Sequence, residues 1–93
     1  MSTYIITYDL HKAGQNYDCL FEKLKAFQTR WHAQQSVWIV QTSWSAAQVR
    51  DYLSSCLDHN DKLLVAKLEG EAAWWGMSHN VTDWLKSVLD ETV

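Results

Sequence analysis

Trp31-His32-Ala33-Gln34-Gln35-Ser36-Val37-Trp38-Ile39-Val40-Gln41-Thr42 is the stretch whose reading decides how this chain folds. Ser36 to Thr42 is rich in β-branched and aromatic residues and reads as a strand. If residues 31–44 close into a tight hairpin, with arms near Trp31–Gln35 and Trp38–Thr42, the chain carries four strands. If Arg30 to Gln34 is only a link, it carries three. No Asn-Gly or Asp-Gly pair marks the turn, so the hairpin is inferred from the strand count that the flanking elements require.

Upstream, Tyr4-Ile5-Ile6-Thr7-Tyr8 is a strand whose apolar run suits an interior position covered on both faces. Asp9 closes it, and Leu10 to Asn16 is a polar loop. Tyr17, Leu20, Phe21, Leu24 and Phe27 then recur at helical spacing, with Asn16 as the expected cap. Downstream, Ser45-Ala46-Ala47-Gln48 has the form of a capping box, followed by the stripe Val49, Tyr52, Leu53, Cys56 and Leu57. Asp58 to Asp61 is a turn by composition, and Lys62 to Leu68 is a strand that Gly70 breaks. Ala72 to Trp75 reads either as a short edge strand or as an interface segment. Val81, Trp84, Leu85, Val88 and Leu89 keep helical spacing after Ser78 and Asn80.

The expected fold class is α+β. It is a ferredoxin-like βαββαβ sandwich with a short extra strand or interface segment and a C-terminal helix. Residues 1–76 form the ferredoxin-like domain and 77–93 a helical extension.

Ninety-three residues bound the chain to one domain with a small core. Although 47% of residues are apolar, no run approaches the roughly 20 needed to span a bilayer. Met1 to Tyr4 lacks a positively charged leader. The two cysteines, Cys19 and Cys56, fall in apolar stripes and read as small buried hydrophobes rather than a bridge or a nucleophile. Together these features predict a soluble cytoplasmic protein with no membrane partner.

The formal charge is −3, which disfavours general DNA binding. Residues 1–56 are net +1, with Lys12, Lys23, Lys25, Arg30 and Arg50 against Asp9, Asp18, Glu22 and Asp51; residues 57–93 are net −4. Phosphate contacts are therefore expected from the first half. The six tryptophans suit a core and a subunit interface better than base stacking.

Three ordered stretches carry a resemblance: Tyr4 to Leu10, a strand ending in Tyr-Asp-aliphatic; Gln34-Gln35-Ser36-Val37-Trp38; and the acidic turn from Asp58 leading into Asp61-Lys62-Leu63-Leu64-Val65. Over roughly residues 3–70 the chain resembles the CRISPR-associated protein 2 family and its stand-alone relatives, whose fold the virulence-associated protein D toxins share. The resemblance implies a homodimer with two sheets packed face to face, and the segment Ala72 to Trp75 crossing to the partner. It also implies metal-dependent endonuclease activity on RNA or DNA, or a structural grip on DNA, in antiviral defence or toxin biology. Its catalytic aspartate maps to Asp9, facing its copy across the dimer axis and holding Mg²⁺ or Mn²⁺.

Read chemically, one carboxylate is a poor Mg²⁺ site, but two symmetry-related Asp9 side chains plus phosphate oxygens would suffice. Asp9 equally suits capping the following loop by accepting amides near His11. Lys12, Arg30 and Arg50 are the candidate phosphate contacts, with Ser36 as a hydrogen-bond donor. Each cation alone is equally a solvated surface charge. By alternation Tyr8 points away from Asp9, into the core. His11 stands close enough to serve as acid or base. His11, His32, His59 and His79 have no zinc-type spacing, and no phosphate loop or nucleophile elbow is present.

Departures from the family pattern are the acidic charge, the missing acid in Ile39-Val40-Gln41 and the acidic C-terminal helix. They keep two rivals open: a catalytically inactive dimeric module docking a larger protein, and a small-nucleotide binder.

Overall fold

The computed structural model describes residues 1–11, 17–69 and 71–90. Their order is β1 (Ser2–Asp9), α1 (Asp18–Lys25), β2 (Thr29–Gln34), β3 (Val37–Thr42), α2 (Ala46–Ser54), β4 (Lys62–Leu68) and α3 (His79–Asp90). The four strands form one antiparallel sheet in the order β2-β3-β1-β4. The expected hairpin is present, and it turns at Gln35 and Ser36 with a register shift between His32 and Gln34. That irregularity explains why no two-residue turn signal marks it.

β1 is the interior strand, paired to β3 and β4 along nearly its whole length. Its alternation sorts the protein into layers. Tyr4, Ile6 and Tyr8 face α1 and α2, where Leu20, Leu24, Phe27, Trp38, Val40, Val49 and Leu53 complete the core. Thr3, Ile5 and Thr7 face the other way, towards α3. The Thr3 hydroxyl donates to the Val88 carbonyl at 3.3 Å, and Trp31 meets Trp84 edge-on at 6.0 Å. Leu85 and Val88 are both buried there. The face on which a second sheet was expected to pack is thus partly covered by this chain's own helix.

α2 starts as expected: the Ser45 hydroxyl accepts from the Gln48 amide, and the Gln48 side chain accepts from the Ser45 amide. α1 starts from Tyr17 without a side-chain cap; Asn16, the expected cap, lies outside the described residues. Residues 72–75 are not a strand but irregular chain. They are followed by Gly76 at φ 77°, a left-handed conformation that suits glycine. Ala72, Ala73 and Trp74 line a cleft of about 260 Å³ against Ile5, Ile39 and Leu85.

The cysteines correct the sequence reading. Cys19 and Cys56 form a disulfide, with Cα atoms 5.6 Å apart, and Cys19 is exposed. Their stripes converge because α1 and α2 lie side by side on the sheet, a pairing that neither helix shows alone. Among the described residues no helix is long and apolar enough to cross a membrane.

Candidate functional site

The end of β1, the β2–β3 turn and the start of β4 share one rim of the sheet. Asp9 sits there, exposed, on the α3 side. Its register partner across the β1–β4 ladder is Lys62, so both side chains leave the same face. They border a depression of about 200 Å³ with Thr7, Tyr8, Leu63 and Leu64. Ser36 is also exposed on this rim, and its carbonyl accepts the Tyr8 amide at 3.2 Å.

Tyr8 points to the opposite face, as alternation requires. Its hydroxyl accepts from the Trp38 indole N–H at 3.1 Å and donates to the Gln35 carbonyl at 3.4 Å. Burial pushes the Tyr8 phenol above its ordinary range, a rise that the Trp38 hydrogen bond opposes. His32 lies flat on Trp38, with ring centres 4.3 Å apart and planes 11° from parallel. Its Nε2 is 3.2 Å from the Gln35 carbonyl.

The capping role considered for Asp9 belongs to Asp61. One Asp61 oxygen accepts the His11 amide at 2.8 Å and the Tyr17 hydroxyl at 2.9 Å; the other accepts the Asp58 amide at 2.9 Å. The His11 and Asp58 amides, in that order, hold its carboxyl below the ordinary carboxylate value. Asp61 therefore ties the exit of β1, the entry to α1 and the turn before β4 into one knot.

The other sequence candidates disperse. Arg30 stands opposite Val40, itself opposite Tyr4, roughly 15 Å along the sheet from Asp9. Its guanidinium donates to the Phe27 carbonyl. Arg50 is on the exposed side of α2, paired with Asp51 at 2.9 Å. Lys12 lies outside the described residues. Among the described residues no three His, Cys, Asp or Glu side chains gather where they could hold a metal. One chain thus offers a cation a single carboxylate at Asp9, with the Lys62 ammonium opposing it. That donor set does not hold Mg²⁺ without a second copy.

Sequence reasoning missed Lys62, His32 and Asp61. Lys62 and Asp61 lay in a quoted motif, but only register and loop geometry separate their roles. No family model, curated protein or solved structure matches this chain.

Proposed function

We propose that the chain is a ferredoxin-like βαββαβ unit of the CRISPR-associated protein 2 type. In this reading it works as a homodimer that binds and cuts RNA or DNA in defence or toxin biology. The observation that carries the reading is the rim itself: an exposed strand-end carboxylate, Asp9, set against a lysine, Lys62, beside the exposed Ser36. The element order and the sheet order β2-β3-β1-β4 support the fold half of the reading. Two Asp9 side chains, one from each copy, would hold Mg²⁺ or Mn²⁺, and the bound ion would polarise the phosphate and lower the pKa of water. Lys62 and Ser36 would contact phosphate oxygens.

The test is a cleavage assay on labelled single-stranded RNA and double-stranded DNA with Mg²⁺ or Mn²⁺. The expected result is metal-dependent cutting that Asp9→Ala abolishes. Cutting unchanged by Asp9→Ala would refute the assignment.

A second reading, a catalytically inactive module docking a larger protein, is favoured by one surface. Trp75 is 95% exposed, and Leu64, on the sheet face that α3 only partly covers, is 59% exposed. In that reading Asp9→Ala changes nothing, while Trp75→Ala weakens association.

A further inference from the structure

The His32–Trp38 pair has no role in the site built around Asp9. Trp38 is buried, and His32, exposed at the edge strand β2, lies parallel on its face. A carbonyl oxygen only accepts, so the Nε2 contact to Gln35 places a proton on Nε2 and fixes the plane of the imidazole. Trp38 is in turn held by its indole hydrogen bond to Tyr8. The result is a rigid aromatic ring on a rigid support, with its outer face open to solvent. Register places both rings on the α1 and α2 side of the sheet, with Ile6 and Tyr8, and so on the face opposite Asp9.

The charge of the chain narrows what such a platform can hold. Gripping a duplex depends on neutralising many phosphates, which a chain of net charge −3 with dispersed arginines does not supply. Stacking on an unpaired base needs no such surface, because every base offers a π-face. We infer that His32, backed by Trp38, is a stacking platform for an unpaired base of single-stranded nucleic acid, bound at the β2 edge of the sheet on the face opposite Asp9. This rests on the nucleic-acid reading above and specifies its substrate as single-stranded.

The test uses a fluorescein-labelled oligouridine and a duplex of equal length, followed by anisotropy. The His32 ring protons are followed in the unmutated protein by NMR, with exposed His79 as the internal control. The expected result is preference for the single strand, an upfield shift of the His32 ring protons on saturation, and no shift of His79. His32→Ala weakens binding about tenfold, while His32→Phe, which keeps a ring, retains it. Binding that leaves the His32 protons unmoved overturns the platform and leaves the nucleic-acid reading standing. No binding of either oligonucleotide by the unmutated protein overturns both.

Discussion

Asp9 and Asp61 flank the same rim, and their surroundings give them different work. Asp61 spends both oxygens on the His11 amide, the Tyr17 hydroxyl and the Asp58 amide. Among the described residues, no side-chain hydrogen bond or ion pair of that kind engages Asp9. A carboxylate tied down this way positions chain; one left open can meet a ligand. Because the Asp61 carboxyl titrates below its ordinary value of 3.8, its contribution to stability is fully present above that value. It is lost as pH falls from there through the lower folded-state value. Acid unfolding of Asp61→Asn, followed by circular dichroism, should therefore show a shallower loss of stability below about pH 4 than the parent protein. An identical acid limb would mean that the knot does not form in solution.

Element by element, what could be read in advance was whatever lies within one element. The β1 run, the α2 capping box and the β4 stretch stand where their residues placed them, since each depends on spacing alone. The β2–β3 hairpin was legible only by counting strands, because its shifted register carries no turn signature. What escaped depended on two elements meeting. Cys19 and Cys56 looked like two buried hydrophobes because the closeness of α1 to α2 is a tertiary fact. Lys62 was overlooked beside Asp9 because cross-strand register is not written in either strand. The bridge closes a sequence separation of 37 residues, for which the chain-entropy account gives about 4 kcal/mol. Dithiothreitol, or the double change Cys19→Ser with Cys56→Ser, should accordingly lower the melting temperature, as calorimetry would record. Equal melting with and without reductant would show the thiols to be unpaired.

For the molecule as a whole, the two faces of the sheet are not equivalent. α1 and α2 seal one face around a continuous core, while α3 covers the other only in part. A dimer built by laying two bare sheets together is therefore not open to this chain without moving α3. In the proposed dimer, the uncovered ground marked by Leu64 is where a second copy would fit. Light scattering at micromolar concentration should return twice the 10.8 kDa chain mass, falling to the single mass for Leu64→Asp. A single mass for the parent protein would remove the shared Asp9 site and, with it, metal-dependent cutting by two copies.

The order β2-β3-β1-β4 also bears on how the chain is born. β1 leaves the ribosome before both of the neighbours that satisfy its edges, β3 and β4, the second of them ending at Leu68. The hydroxyl of Thr3 waits longer still, for a carbonyl at residue 88. The nascent chain therefore carries an apolar strand with at least one bare edge until β4 is made, and no fragment ending before Leu68 completes the sheet. The sheet is thus committed to closing late, and the exposure of β1 to pairing with other nascent chains ends only when β4 arrives.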